Sequence, residues 1–435
     1  VSIALRLRRL KNNPLRDYRF RRLWLGLVVS RLGDMFTAIA LLWFVLDLTG
    51  SGAALGGVLF CFSVPAIVTS PFIGKLLDIF QPRLVMGVDN FLRACIIGAI
   101  PVLYWLGFLQ LWVIYLLALL AGVLTPASNV GVRVLLPEMV PNEDLEAANG
   151  WLSASEQFAV LIGPALAGFL ITLVGGPPVL LFDAFSFLFM GFLLFSLPDI
   201  VRNSSVESAP DAPKKRAWSG FGALFRLKEV RLISTISFVF FLAYMPLEPA
   251  LPLYSRDQLA TDASGYGLLW SAFGVGAVLG LLLIPLISRY SHPGIVFSVI
   301  AIGWGALLLP LVWLTSLPVA MLFFALAGCA WAPYTTIETT LLQRLIPANL
   351  RGQVFGARST LISASGPLGV FIGSVLLQLL AANFVIGISA LACIVAGLGG
   401  LLSPRLRQIV RPAVVKESSS EENTSTSITE KSNVA

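Results

Sequence analysis

Along most of the 435 residues, apolar positions run on for some twenty residues at a time, and the interruptions are short clusters of glycine, proline, polar or charged side chains. A helix needs about 20 apolar residues to cross the hydrocarbon of a bilayer, so each run predicts one crossing. Twelve can be drawn, near 23–46, 53–74, 84–106, 110–135, 147–174 and 178–198, then near 231–254, 266–288, 294–315, 317–342, 356–380 and 384–403. The stretches Ala94 to Gly131 and Ser359 to Ser403 carry no charge for far longer than one crossing, so each must fold back once. Gly107 with Gln110, and Asn383, are the predicted reversal points, because these residues tolerate a turn at the interface better than leucine or isoleucine. The pattern predicts an all-α integral membrane protein.

Charge fixes the expected orientation. Lysine and arginine are retained in cytoplasmic loops. Here they crowd the first 22 residues, from Arg6 to Arg22, and return at every second loop: Lys75 and Arg83, Lys214 to Arg231, Arg344 and Arg351, then Arg405 to Arg411. Of the loops assigned outside, only the one holding Arg256 is basic. Both termini are therefore expected in the cytoplasm, and the protein in the cell (inner) membrane. Hydrophobic residues make up 57% of the chain and charged residues 12%, against roughly 45–50% and 25% in a soluble domain. Mean hydropathy, +0.86, is spread along the whole length, so no cleaved targeting segment is expected. The net charge of +7 is accounted for by topology and anionic lipid headgroups, without a nucleic-acid partner. Cys61, Cys95, Cys329 and Cys393 all sit in apolar runs and read as small core residues.

A hydrophilic interruption at 200–225 splits the spans six and six. The expected organisation is a basic N-terminal segment (1–22), a first six-helix half (23–199), a cytoplasmic linker (200–225), a second half (226–404) and a disordered cytoplasmic tail (405–435). Displacing the sequence by 206 positions brings Gly122 onto Gly328, Pro141 onto Pro347, Gly150 onto Gly356 and Gly163 onto Gly369. The constant offset of glycine and proline matches indicates two duplicated, pseudo-symmetric halves, an arrangement in which substrate binds between them near the midplane.

Several segments resemble a known family. Gly74-Lys75-Leu76-Leu77-Asp78 with Arg83 resembles the G-x-L-x-D-R-x-G-R loop of major facilitator transporters, departing from it at Phe80-Gln81-Pro82. Pro126-Ala127 to Arg133, then Leu136-Pro137, Val140-Pro141, Leu145 and Ala148-Asn149 are similar to the pattern of the branch that includes macrolide-efflux proteins and the enterobactin exporter. Asn13-Pro14, Gly33-Asp34 and Thr49-Gly50-Ser51 agree with that branch. The resemblance implies a cytoplasmic gate at Gly74, Asp78 and Arg83; Arg133, by its place close to the inner end of span four, is expected to contribute interface or gate contacts. Gly163-Pro164 to Gly168 resembles the G-P-x-x-G-G signature of exporters, and Gly366-Pro367 in span eleven is related to it. Small residues allow close helix approach and proline bends a span, so these two segments are expected to face each other as a sliding seam.

Ionisable residues at membrane depth are costly and mark functional candidates. Asp34 is a candidate proton or substrate site, with Arg31 one turn before it on the same face as a structural partner. Glu156 and Glu338 have no basic residue within a turn on their own helices, which suits a proton-binding group. Asp89 and Arg93, spaced i, i+4, read as a structural pair. Asp183 and Glu248 are placed nearer the outer side, Glu248 at an outer gate in Pro246-Leu247-Glu248-Pro249. Trp43, Phe240, Trp270 and Trp331 are candidates for lining an apolar pocket.

No phosphate-binding loop is present, and the single histidine, His292, supports no triad or metal cluster, so neither a pump, an enzyme nor a bound cofactor is expected. The expected function is a monomeric secondary transporter that exports amphiphilic or drug-like small molecules by alternating access as protons move inward, with membrane lipids around it. A siderophore exporter and a lysolipid flippase of the same fold are the alternatives.

Overall fold

The computed structural model describes residues 14–198, 219–287, 292–347 and 350–409. Among them are twelve helices long and apolar enough to span a membrane: α1 (Tyr18–Thr49), α2 (Gly52–Ile79), α3 (Pro82–Trp105), α4 (Leu111–Met139), α5 (Leu145–Val174) and α6 (Gly176–Phe195), then α7 (Lys228–Asp257), α8 (Ala263–Ile287), α9 (Pro293–Val312), α10 (Leu317–Leu345), α11 (Arg351–Leu376) and α12 (Ala382–Leu402). The chain is a multi-pass membrane protein. The first helix starts earlier than the hydropathy pattern indicates because Asp17 caps it, accepting from the Arg19 backbone N–H at 2.8 Å. The tail beyond residue 409 and most of the linker lie outside the described residues. The linker's last part, Ser219–Arg226, is a short helix.

The turns follow local chemistry. Gly50 closes α1 with φ +62°, and Ser51 then caps α2. Gly107, with φ +77°, lies in the α3–α4 turn where the sequence places a reversal. Asn383 instead lies in the first turn of α12, donating its side-chain amide to the Val312 carbonyl at 2.9 Å. Two spans are broken at prolines, which lack the amide needed to continue the helical ladder. α4 is interrupted between Leu124 and Pro126, and α7 at Met245-Pro246.

Within each half, glycines bring helices together at equivalent places. A Cβ on Gly122 of α4 would lie 2.3 Å from the Phe62 carbonyl oxygen of α2. One on Gly328 of α10 would lie 2.1 Å from the Phe273 oxygen of α8. Likewise Gly163 abuts Met35 on α1, and Gly369 abuts Met245 on α7. The residues matched across 206 positions thus occupy matched packing positions. Of the cysteines, Cys393 is buried, Cys61 and Cys329 are half-buried, and Cys95 is exposed on the bundle surface, so Cys95 is not the core residue its apolar run implied.

The halves meet along two seams. Gly168, Gly267 and Gly274 pack α5 on α8, with the Ala165 N–H donating to Ser271 Oγ at 3.0 Å. Gly52 and Gly56 pack α2 on α11 at Leu377 and Ser374. The expected facing pair is therefore corrected. Pro164 and Gly168 of the first segment seat on α8 while Gly163 faces Met35 of α1, and Gly369 of the second segment faces Leu242 and Met245 of α7. Every one of these cross-half contacts lies toward the end of the bundle away from the chain termini. From Leu161 to Thr172 the α5 seam runs about 17 Å at 1.5 Å per residue. At the terminal end, a Cβ on Gly74, Gly150, Gly352 or Gly356 would meet nothing within 4 Å. Among the described residues the halves are joined at the far end and stand apart at the terminal end.

Candidate functional site

The broken α4 and the close α1–α6 and α3–α4 packing gather polar side chains inside the first half. Gly33 lets α1 approach α6 so closely that a Cβ there would lie 2.3 Å from an Asp183 oxygen. This places Asp183 beside the middle of α1, not near the far side as the sequence suggested. Asp183 is 1% exposed and accepts from Thr37 Oγ1 at 2.5 Å and from Ser186 Oγ at 2.9 Å. Arg93 of α3 reaches Asp34 at 3.0 Å and lies over the Phe187 ring, 4.1 Å from its centroid.

These contacts correct two pairings. Arg31 does not neutralise Asp34; it reaches across to Glu156 at 3.1 Å and Asn129 at 3.2 Å. Arg93 pairs with Asp34 rather than with Asp89, which accepts from Ser128 Oγ at 2.7 Å. Ser128 in turn accepts from the Asn90 amide at 3.0 Å. Three carboxylates are thus grouped about the one guanidinium of Arg93. Asp89 Oδ1 and Arg93 Nε are buried with no protein partner among the described residues, so the network has capacity for another bond. Beside it lies a cavity of about 320 Å³, lined by Arg31, Asp34, Thr37, Asn90, Arg93, Asn129 and Asp183 together with apolar groups of α1, α2 and α3.

In the second half, Glu338 of α10 is 2% exposed and hydrogen-bonded by Ser237 of α7 and Arg358 of α11. It is not the unpaired carboxylate its own helix indicates. Arg358, seven residues into its span, is absent from the sequence-derived candidates; the rule that flags ionisable groups at membrane depth would have found it. Above Glu338 stands an aromatic cluster in which Phe240 and Tyr334 stack at 4.4 Å and Tyr244 and Trp331 meet at 4.9 Å. Phe240 is fully buried and is core, not lining; Trp43 stacks on Tyr266 across the seam, and Trp270 packs on Phe324. Glu248 accepts from the Tyr244 hydroxyl at 3.2 Å, just past the break in α7.

The residues proposed for a gate lie at the open end. Asp78 is exposed on the last turn of α2, and Arg133 is exposed on α4. Arg83 donates to Gln81 Oε1 at 3.0 Å and to the Leu197 carbonyl, tying the start of α3 to the end of α6. Among the described residues no group of histidine, cysteine and carboxylate side chains could hold a metal.

Comparison with known proteins places this architecture. The model of the Major Facilitator Superfamily matches residues 23–370. The chain is 26% identical over 389 residues to the multidrug efflux pump Tap of Mycolicibacterium fortuitum, spanning 87% of this chain and 93% of that protein. It is 20% identical to macrolide efflux protein A of Streptococcus pyogenes, spanning 86% and 94%. Among solved structures it resembles a point mutant of the nucleoside transporter NupG, at TM-score 0.72, 15% identity and coverage of 87% and 99%. It also resembles a bacterial homologue of the iron transporter ferroportin in an inward-facing state, at TM-score 0.69, 19% identity and coverage of 90% and 99%.

Proposed function

Because the chain belongs to the Major Facilitator Superfamily, we propose that it exports amphiphilic, drug-like small molecules by alternating access, in exchange for protons. The names of the efflux relatives support the direction. The alternation of basic loops supports a cytoplasmic terminal end, which makes this conformation open to the cytoplasm. In it, substrate enters between the halves while the α5–α8 and α2–α11 seams hold the outer end shut; rocking of the halves then exchanges the two openings.

The observation that carries the coupling is the Asp34–Arg93–Asp183 cluster at the cavity wall. With Asp89 beside them, three carboxylates about one guanidinium leave a surplus negative charge in a low-dielectric interior, and a proton reduces it. Asp34 has a quarter of its side chain accessible and is the group a proton or substrate reaches first, whereas Asp183 is enclosed. A substrate arriving at Asp34 competes with Arg93 for the carboxylate and disturbs the whole cluster, which links its binding to proton release. Glu156, paired with Arg31 at the open end, guides entry in this scheme, and Glu338 holds α7, α10 and α11 together.

The test is proton movement in liposomes containing the purified protein, driven by macrolides, lipophilic cations, siderophores or lysolipids. Substrate-dependent proton flux is expected, abolished by Asp34→Asn and retained in Glu156→Gln. Substrate movement without proton flux, unchanged by Asp34→Asn, would sink the antiport mechanism and leave a facilitator.

A further inference from the structure

Asp89 belongs to the charged group of the first half, yet it lies behind the cavity wall. It is 3% exposed, and its Oδ1 has no protein partner among the described residues. Arg93, one turn along the same helix, gives its ion pair to Asp34 of α1. From α4 comes the Ser128 hydroxyl, 2.7 Å from Oδ2. Asp89 also borders a second hollow of about 370 Å³, and every other residue lining it is apolar, from Ile73, Leu76 and Phe80 of α2 to Leu124 and Ala127 of α4.

Charge balance about Arg93 calls for more than one proton. One guanidinium offsets one of three carboxylates, so Asp183 and Asp89 are left as two surplus charges. Asp183 accepts from two hydroxyls, those of Thr37 and Ser186. Asp89 accepts from one, and the hollow beside it offers no donor side chain. An ion at membrane depth is costly unless it is paired or wetted, whereas a neutral carboxyl is tolerated there.

The hydrogen bonds around Ser128 give the second proton a path. The Asn90 amide donates to the Met86 carbonyl at 2.7 Å and to Ser128 Oγ at 3.0 Å, so Ser128 accepts on that side and turns its single hydrogen to Asp89. Asn90 and Ser128 both line the 320 Å³ cavity. Ser128 Oγ keeps a second lone pair, which takes a proton from a hydronium ion in the cavity as the serine passes its own hydrogen to Asp89 Oδ2. One O–H bond forms and one breaks at the serine, water is left in the cavity, and Asp89 becomes neutral. Release runs the same steps backward.

Resting on the antiport reading above, we propose that Asp89 is a second proton site, filled and emptied through Ser128, so that two protons move inward for each substrate exported. The first proton belongs to the Asp34–Asp183 pair at the cavity wall. The second is held where Asn90 and Ser128 screen it from substrate.

Two measurements on the purified full chain test this. Infrared difference spectra between acid and alkaline pH, in lipid nanodiscs without substrate, are expected to contain a protonated-carboxyl band that is lost in Asp89→Asn. Asp89→Glu is expected to regain it, since the hollow has room for the extra methylene. After a pH jump, the band is expected to fill at least about tenfold more slowly in Ser128→Ala. The second measurement uses liposomes and ethidium, a permanent cation that carries no proton of its own. The wild type is expected to exchange about two protons per ethidium and to respond to an imposed membrane potential, because net charge then moves. Asp89→Asn is expected to exchange about one and to be indifferent to the potential. A wild-type ratio of one, a ratio of two surviving in Asp89→Asn, or the absence of the band overturns the second site. An unchanged filling rate in Ser128→Ala overturns the relay. If ethidium drives no proton flux while the Asp89 band is present, the antiport reading fails and the proton site stands.

Discussion

The charged side chains inside the membrane are all legible as costly residues, but their partners are not. Asp34 and Arg93 are 59 positions apart, Arg31 and Glu156 are 125 apart, and each pair forms only because two helices present the right faces to each other. Reading along a single helix pairs Arg31 with Asp34 and Asp89 with Arg93, because an i, i+3 or i, i+4 spacing is the only proximity a sequence displays. The low exposure of the Arg93 side chain, 9%, makes its loss expensive. Arg93→Met leaves Asp34 and Asp183 without their shared counter-charge and is expected to destabilise the protein by roughly 3–5 kcal/mol. Adding Asp34→Asn should restore part of that loss, as thermal unfolding in detergent would show. Equal losses in the single and double variants would mean that Arg93 acts through its packing on Phe187 alone.

At the scale of elements, the seams are made of glycine because backbone meets backbone there. A Cβ on Gly168 would lie 2.3 Å from the Ala263 oxygen, and one on Gly267 would lie 2.1 Å from the Pro164 oxygen. Neither neighbour is a side chain that can swing away. Gly168→Ala is therefore expected to push α5 off α8 and favour the conformation open at the far end. Spin-label distances between positions 174 and 257 would lengthen. Gly150→Ala, where a Cβ meets nothing within 4 Å, should leave them unchanged. An unaltered distance in Gly168→Ala would show that the seam yields without opening. The sequence names Gly168 as a close-packing residue but mispairs its helix, since a small residue marks that something is near without marking what.

At the scale of the whole molecule, closure of the far end also depends on a polar tie. Asp262, in the turn before α8, accepts from the Ser264 hydroxyl at 2.6 Å and the Ser264 and Gly265 amides, and across the halves from Thr172 of α5 at 3.2 Å. The Ser264 hydroxyl first, then the amides and Thr172, hold its carboxyl below the ordinary carboxylate value. A depressed value means that the carboxylate's stabilisation is complete above the unfolded-state pKa of about 3.9 and fades only as pH falls through the folded one. The 174–257 distance is therefore expected to hold from neutral pH down to about 5 and to lengthen below about 4. Asp262→Asn should lack that acid limb. Lengthening already near pH 6, with the limb retained in Asp262→Asn, would place the controlling titration elsewhere.

Twelve spans, a twofold repeat at 206 residues and the facilitator resemblance all follow from the sequence alone. Each is a local or periodic property: twenty apolar residues in a row must span a bilayer wherever they sit, and duplicated glycines recur at one offset. The tertiary structure decided which charges meet, that Asp183 and Asp89 join Asp34 around a single arginine, that Glu338 is paired with Arg358, and which end of the bundle stands open. Those outcomes depend on the rotation and depth of one helix against another, set by dozens of weak packing contacts at once, and no stretch of sequence contains them.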